Sequence, residues 1–450
     1  MSRLQSFLPA YRELIRLGLP ILVGQLGMIV VSFADNIMVG RYSTEALASA
    51  SFVNNLFNTA VFCCIGFTYG LTPLAGALFG KGEKKTIGAL TRTALWINLL
   101  YTLLITLVMT VIYFNLEWLS PPAELIPTIR PYYLLVLIGM IPMSIFNVGA
   151  QWSYAINNTA MPTWIVLGAN ALNVLGNWLL IFGHWGLPEL GLFGAGISTL
   201  FTRVLCPLAI FGFFFLARRF RPYRDGFVHG HSRRGDRRLV FRTSLPVSLQ
   251  MTFESGSFTA AAVMVGWLGA VPLAAFQVTV IVGMLGFCLY YGIGSAVAIK
   301  VSNEAGRGSA HGMRHYAWAG YHIMLCLMTM SSAVLFLGGR HLMALFSEDP
   351  AVIALSLSLV VPLVLYQLGD ATQITFANAL RGTSHVLPML WIAFVSYVVV
   401  GVPATYILGF PLGLETWGVI LSFSVSLFLA GGLFLYFFLR ATRQNSSSRT

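Results

Sequence analysis

Long apolar runs alternate with short polar segments along the chain, and most runs reach the length of about 20 residues that an α-helix needs to cross a bilayer. The runs are apolar on all sides, whereas a membrane β-strand would alternate apolar and polar residues over about ten positions. The pattern predicts an all-α polytopic membrane protein. Averaging hydropathy along the sequence places twelve transmembrane helices at roughly 17–40, 46–79, 90–113, 131–154, 162–183, 192–217, 243–267, 272–304, 316–338, 351–380, 386–409 and 415–439.

The two halves of the sequence repeat each other at one constant offset, the one that aligns Leu19-Pro20 with Leu245-Pro246. The same offset aligns further residues across five of the predicted helices: Val39-Gly40 with Val265-Gly266, Leu47-Ala48 with Leu273-Ala274, Gly66, Gly80 and Gly82 with Gly292, Gly306 and Gly308, Pro162 with Pro388, and Gly183 with Gly409. Because six spans per half is an even number, the halves should have parallel topology and a pseudo-symmetry axis along the membrane normal.

This repeat predicts two pseudo-symmetric six-helix bundles. The N-terminal lobe comprises residues 1–217 and the C-terminal lobe residues 241–440, with a cytoplasmic tail at 441–450. Between the lobes lies a basic cytoplasmic linker, 218–240, which contains eight arginines between Arg218 and Arg238. A substrate path between two such bundles is the arrangement of several secondary transporters.

The distribution of cations predicts the orientation of the helices. Of the 27 Lys and Arg residues, 23 lie at the two termini and in the turns on the same side of the predicted membrane. By the positive-inside rule, both termini are cytoplasmic, in a cytoplasmic (inner) membrane of bacterial type. The net charge of +12 is then mostly a topology signal, and no soluble basic domain is present to bind nucleic acid.

Three acidic residues, Asp35, Glu254 and Asp370, are the candidate functional groups. Only 9% of the residues are charged, and each of these acids lies inside an apolar run. An ionised carboxylate is costly in a bilayer, and such groups usually bind cations or protons. Glu254 and Asp370 lie twelve and eleven residues inside Arg242 and Arg381, which places both about 17 Å from the cytoplasmic ends of their helices. Tyr366 precedes Asp370 by one helical turn and can offer a hydroxyl to the same site.

A second polar level is predicted in the N-terminal half. Asp35, Asn177 and Thr199 all lie about 9–12 Å from the outer ends of their spans, and Asn173 lies one turn deeper than Asn177. Carboxylate, amide and hydroxyl oxygens are ligands that a small cation prefers, and they can also tune a protonatable Asp. The alternative for the two asparagines is interhelical hydrogen bonding, and Arg203 could balance an acid or reach a water-filled cavity.

At these residues the chain resembles the multidrug and toxic compound extrusion (MATE) family, in its NorM-like branch. The resemblance covers nearly the whole length and is carried by LPILVGQLGMIVVSFADNIMVG, GLFGAGISTLFTR, SLPVSLQMTFESGSFTAAAVMVG and YQLGDATQITFANALRGTSHVLP. It implies a V-shaped pair of bundles that exports organic, often cationic, compounds in exchange for Na⁺ or H⁺. We expect small-molecule substrates, contact with membrane lipids, a monomeric protein and no cofactor besides the coupling ion.

Carried over by position, the resemblance implies two cation sites. Glu254, Asp370 and Tyr366 match the cation site in the C-terminal lobe of the NorM-like branch. Asp35, with Asn173, Asn177 and Thr199, matches the family's site in the N-terminal lobe. Some relatives have an acid where Asn177 stands, so the N-terminal site could bind Na⁺ or serve protons.

Other functional classes fit the sequence less well. A lipid-linked oligosaccharide flippase of the same wider superfamily should line its cavity with cations, and among the residues inside the spans only Arg203 fits that expectation. An enzyme would need a nucleophile, a metal or a polar catalytic cluster at one level, and no histidine lies near the acids. A passive channel would not require two related halves whose acids occupy different positions.

Overall fold

The computed structural model describes residues 3–119, 121–233 and 235–447, and within these ranges it contains helices and no β-strand. The all-α prediction is thereby confirmed. The helices of the first half are α1 Arg3–Tyr42, α2 Thr44–Thr68, α3 Leu71–Gly80, α4 Lys84–Phe114, α5 Ile126–Ile138, α6 Met140–Ala155, α7 Ala160–Phe182, α8 Gly191–Leu216 and α9 Arg221–His229. Those of the second half are α10 Asp236–Gly266, α11 Ala270–Arg307, α12 Ala310–Ala344, α13 Pro350–Ser358, α14 Val360–Gly382, α15 Leu387–Ala393, α16 Val402–Gly409 and α17 Glu415–Ser447.

Ten helical segments of the described ranges are long and apolar enough to cross a membrane. An eleventh is formed if α13 and α14, which meet at a 49° bend, are one span. The seventh predicted span lies in α10, whose 31 residues extend about 46 Å. This helix is long enough to cross a membrane, but Gln250, Glu254 and several serines lower its mean hydropathy. It is therefore not one of the ten segments counted above.

The chain forms two compact units by contact. The first-half unit comprises Val23–Ser248, and the second-half unit comprises Met1–Leu22 together with Leu249–Thr450. Both changeovers occur inside the first long helix of a half, α1 or α10, and the two positions are separated by the repeat offset of the sequence. These units are defined by packing, whereas the lobes predicted above are defined by the repeat of the sequence. The boundaries of the lobes stay a prediction.

A close approach of two helices holds the start of α1 in the second-half unit. A Cβ atom at Gly292 of α11 would lie 2.7 Å from the carbonyl oxygen of Gly18, and one at Gly18 would lie 3.0 Å from that of Gly292. Only glycine permits backbones to approach so closely. Nearby, Glu13 accepts an ion pair from Lys300 at 2.5 Å and a hydrogen bond from the Tyr316 hydroxyl at 2.7 Å.

The segment between the halves carries a packed helix, α9, which the sequence did not predict. Arg92 of α4 donates to the carbonyl oxygens of Phe227 at 2.7 Å, Val228 at 3.0 Å and Gly230 at 2.6 Å. The Arg92 guanidinium thus donates to carbonyl oxygens at the C-terminal end of α9, and its positive charge complements the negative end of the α9 helix dipole. Arg234 of this segment and residues 448–450 of the predicted tail lie outside the described residues.

Candidate acid sites in the two units

The second-half unit holds two carboxylates on separate helices, of which Asp370 is buried and Glu254 is partly exposed. Glu254 of α10 accepts a hydrogen bond at Oε2 from Gln250 Nε2 at 3.2 Å, one turn earlier on the same helix. Asp370 of α14 is 3% exposed and interacts electrostatically with Glu254. Within the described ranges its Oδ2 atom has no hydrogen-bond partner. We call these residues, with the two tyrosines described next, the C-terminal acid site.

Two tyrosines border these carboxylates. Tyr366 interacts electrostatically with both acids, and its ring packs edge-on against Phe258 and Phe423 at centroid distances of 6.3 and 6.2 Å. The structure thus places Tyr366 within electrostatic range of both acids, and its role in a cation site stays a prediction. Tyr397, which is 2% exposed, interacts with the same two acids and with Tyr366.

Tyr397 was not predicted from the sequence. It lies in a π-helical stretch, Phe394–Gly401, between α15 and α16. Such wide turns occur often at functional sites because they re-aim side chains within a continuous helix. The one sign of this residue in the sequence is a tyrosine inside the apolar run WIAFVSYVVVG. Its depth in the membrane relative to the acids depends on the π-helical stretch, which the sequence pattern does not reveal.

The first-half unit holds Asp35 in a different setting. Asp35 of α1 is partly exposed, and its Oδ1 accepts a hydrogen bond from Asn177 Nδ2 of α7 at 2.5 Å. Asn177 is fully buried, and its own Oδ1 has no hydrogen-bond partner within the described ranges. The amide therefore fixes the carboxylate on one side and leaves an oxygen acceptor on the other. We call Asp35, Asn173, Asn177 and Thr199 the N-terminal acid site.

Asn173 connects α7 to α8 in the same site. Its Nδ2 donates to Ser198 Oγ and Thr199 Oγ1, both at 3.3 Å, and the Ser198 hydroxyl donates back to its carbonyl oxygen at 2.9 Å. The side-chain oxygen of Asn173, like that of Asn177, lacks a hydrogen-bond partner within the described part of the chain. The amide nitrogens thus make the interhelical hydrogen bonds of the alternative interpretation, and the amide oxygens stay available for a ligand.

Arg203 lies on α8, one turn beyond Thr199. Its Nη1 points at the carbonyl oxygen of Val136 at 3.5 Å, and its side chain packs over Gly139, where a Cβ atom would lie 2.9 Å from Nη1. Of the three ion pairs in the described residues, none involves Arg203. Arg203 therefore contacts backbone where α5 ends and does not form an ion pair with Asp35.

Comparison with known proteins identifies the family. The MatE family model matches the chain twice, at residues 20–179 and 246–407. The chain belongs to the MatE family. The two matches begin at Pro20 and Pro246, which are the residues that the repeat of the sequence aligns with each other. The resemblance and the internal repeat predicted from the sequence are both confirmed.

Relatives of the MatE chain are similar over nearly their whole length. The "Probable multidrug resistance protein NorM" of Geobacillus kaustophilus is 31% identical, with 98% of this chain and 97% of that protein covered. The "Multidrug resistance protein PmpM" of Pseudomonas aeruginosa is 28% identical, with coverages of 90% and 84%. The same fold occurs in a solved outward-facing "multidrug resistance MATE family transporter", with a TM-score of 0.88, 18% identity, and coverages of 98% and 97%. This MatE chain is an integral membrane protein.

Proposed function

We propose that this protein is a secondary active multidrug exporter that exchanges organic compounds, often cationic, for Na⁺ or H⁺ in a bacterial inner membrane. The family and the multidrug resistance names of its relatives support the transport of small molecules. The exchange with a cation is inferred from the acids. The positive-inside bias of the sequence supports an orientation with both termini in the cytoplasm.

One observation carries the coupling proposal: a carboxylate oxygen of Asp370 is buried without a hydrogen-bond partner in the described ranges. An ionised carboxylate in such a place is costly unless a cation binds it, and a neutral one requires a proton. Glu254 adds a second negative charge to the same site. Binding of one small cation or proton there relieves both the desolvation and the repulsion, which suits a group that loads and unloads an ion.

The exchange follows from thermodynamic linkage. If the coupling cation and the exported compound favour different conformations through the same acids, each promotes the release of the other. The gradient of the cation then drives export without a covalent step. Oxygen atoms of Glu254, Asp370 and the Tyr366 and Tyr397 hydroxyls supply hard ligands for Na⁺, and the same carboxylates can carry H⁺.

The N-terminal acid site is proposed as a second, weaker cation site. Asp35 already accepts one hydrogen bond from Asn177 and is partly exposed, so its carboxylate depends less on a bound ion. The side-chain oxygens of Asn173 and Asn177, which have no hydrogen-bond partner among the described residues, add neutral ligands. A flippase for an anionic lipid-linked sugar is less well supported, because Arg203 is engaged with backbone and the charged residues assigned to both sites are acidic.

Transport into proteoliposomes with imposed ion gradients tests this proposal. Purified protein is reconstituted, and uptake or efflux of a fluorescent organic cation is followed under a Na⁺ gradient, a pH gradient, both or neither. A cation antiporter moves the compound against its own gradient only when one of these ion gradients is imposed. Equal rates with and without an ion gradient, unchanged by substitution of Glu254 or Asp370, would contradict coupled exchange.

A further inference from the structure

A groove outside both acid sites lies between α7 and α8 in the first-half unit. The two helices contact each other closely at one end, where a Cβ atom at Gly176 would lie 2.5 Å from Ser198 Oγ and one at Gly194 would lie 2.5 Å from the Leu180 carbonyl oxygen. Nearer the start of α7, a Cβ atom at Gly168 would meet nothing within 4 Å. Residues of both helices line an open groove of about 760 Å³ here.

The walls of this groove are apolar, and its α7 side faces away from the N-terminal acid site. Trp164, Gly168 and Leu172 follow one another at one-turn spacing along the wall. At about 100° per residue, Trp164 and Gly168 lie roughly 140–180° around α7 from Asn173, which points into the acid site. Trp164 is 73% exposed and Phe213, on the α8 wall, is 54% exposed, so the groove presents a large apolar surface.

A cation lies beside the groove where α7 begins. Arg219 follows the end of α8 and lines the groove beside the start of α7. Its guanidinium lies over the ring of Phe220 at 4.5 Å, and in the described residues it has no ion pair and no hydrogen-bond partner. Arg224 of α9 donates to the carbonyl oxygen of Phe215 at 2.7 Å, which holds a second cation at the same end of α8.

This combination of an apolar trough and a basic mouth matches one chemistry. An acyl chain fits the apolar walls, and a phosphate fits the guanidinium of Arg219, since guanidinium groups bind phosphates bidentately. Trp164 lies about 6 Å inside the start of α7, at the level where tryptophans occupy the membrane interface. By the cation distribution, this end belongs to the cytoplasmic leaflet, where basic residues attract anionic headgroups.

We propose that the groove between α7 and α8 is a binding site for one phospholipid with an anionic headgroup, whose acyl chain lies along Trp164, Gly168 and Leu172 and whose phosphate contacts Arg219. The site is distinct from the residues assigned to cation coupling. It selects the lipid by charge, whereas ordinary lipid-facing surface accepts any headgroup.

Native mass spectrometry of the full-length protein in detergent tests the selection. The probes are phosphatidylglycerol and phosphatidylcholine with identical acyl chains, added at equal concentration. We expect one phosphatidylglycerol to be retained about fivefold more than phosphatidylcholine, because the choline group of the latter brings a cation beside Arg219 and Arg224 and cancels the headgroup's negative charge. Equal retention of the two lipids would overturn the proposal.

Two pairs of matched variants locate the lipid. Arg219→Gln should abolish the preference for phosphatidylglycerol, whereas Arg218→Gln, on the adjacent exposed residue outside the groove lining, should keep it. Gly168→Leu adds bulk to the groove at a position where the Cβ atom meets nothing within 4 Å, and it should remove the retained lipid. Gly212→Leu adds the same bulk at an equally open position outside the lining and should not. Loss of the preference in both arginine variants, or in neither, would contradict a site at Arg219.

A second measurement uses Trp164 as a reporter of the acyl chain. Phosphatidylglycerol brominated on its acyl chain should quench a tryptophan signal that is missing in Trp164→Phe, and the quenching should vanish in Gly168→Leu. Excess inorganic phosphate should not displace the lipid, because most contacts are apolar. Displacement by phosphate would show that the headgroup alone carries binding, and quenching that Gly168→Leu leaves unchanged would show that the acyl chain lies elsewhere. Either result would overturn the proposal. Neither readout depends on transport, so a failure here is separable from a failure of the proposed export function.

Discussion

The two acid sites differ in how far the protein itself satisfies their carboxylates. In the N-terminal acid site, Asp35 is partly exposed and receives a hydrogen bond of 2.5 Å from Asn177. In the C-terminal acid site, Asp370 is 3% exposed, has an oxygen with no hydrogen-bond partner in the described ranges, and interacts with a second acid. The first carboxylate therefore depends less on an added ion. The second is incomplete without a cation or proton, which makes it the stronger candidate for coupling.

The difference arises although the two halves share one repeat. At the offset that aligns the halves, Asp35 corresponds to Ala261, which is 1% exposed in an apolar cluster. Asp370 corresponds to Ser144, which is hydrogen-bonded to Thr102 at 2.8 Å, and Glu254 corresponds to Met28. Equivalent backbone positions thus carry an acid in one half and a neutral side chain in the other. The repeat specifies the bundle, and the substitutions within it make the two acid sites different.

The largest effect is expected for the C-terminal acid site. Asp370→Asn and Glu254→Gln keep shape and hydrogen bonding but remove a charged ligand, which contributes about 3 kcal/mol or a factor of about 100. Gradient-driven export in proteoliposomes should fall to the level of protein-free vesicles. Glu117→Gln, an exposed acid treated in the same way, should transport normally. Normal export by either Asp370→Asn or Glu254→Gln would remove the C-terminal acid site from the coupling mechanism.

A partial effect is expected for the N-terminal acid site. Asp35→Asn should reduce export about tenfold while cation binding at Glu254 and Asp370, measured by calorimetry in detergent, changes by no more than about twofold, as expected for independent sites. The single variant Asp370→Asn shows whether any binding is left at Asp35, and the double variant shows whether the binding left in Asp35→Asn depends on Asp370. Loss of all cation binding in Asp35→Asn alone would mean that the acids form one shared site and that the comparison above is wrong.

A smaller effect is expected at the tyrosine that the sequence did not reveal. Tyr397→Phe removes one hydroxyl beside the two acids, so the apparent affinity for the coupling cation should fall by a factor of about 2–10, corresponding to about 0.5–1.5 kcal/mol. The maximal transport rate should change less than the concentration of cation that gives half of it. Tyr406→Phe, on an exposed side chain of α16, serves as the control. An unchanged cation affinity would exclude Tyr397 from the site.

The smallest effect concerns the hydrogen bonds within the N-terminal acid site. Asn173→Ala removes the hydrogen bonds to Ser198 and Thr199, which in membranes contribute about 0.6 kcal/mol each. Thermal unfolding in detergent should shift down by about 1–2 °C. Asn170→Ala on the same helix is the matched control, because its buried Nδ2 has no partner in the described residues and its removal should not lower stability. Equal losses in both variants would argue against a role for Asn173 in joining α7 to α8.

Much of the fold could be predicted because bilayer chemistry leaves few choices. A run of about 20 apolar residues in lipid must form a helix, so hydropathy alone predicted the spans, and the repeat predicted the two halves. Depth counted along each helix also predicted that Glu254 and Asp370 lie at one level, with Tyr366 one turn from Asp370 on the same helix face. Distance along a helix is a local quantity, and this is why it could be obtained from the sequence.

The sequence by itself determined the all-helical membrane architecture, the repeat offset and the depth of each acid, because hydropathy and helical rise act within one segment. Only the tertiary structure decided which partners each acid has. The hydrogen bond from Asn177 to Asp35, the Asp370 oxygen without a partner in the described ranges and the π-turn that presents Tyr397 all depend on contacts between segments distant in sequence. The changeover of the compact units inside α1 and α10 has the same origin, since long-range packing can assign the two ends of one helix to different units.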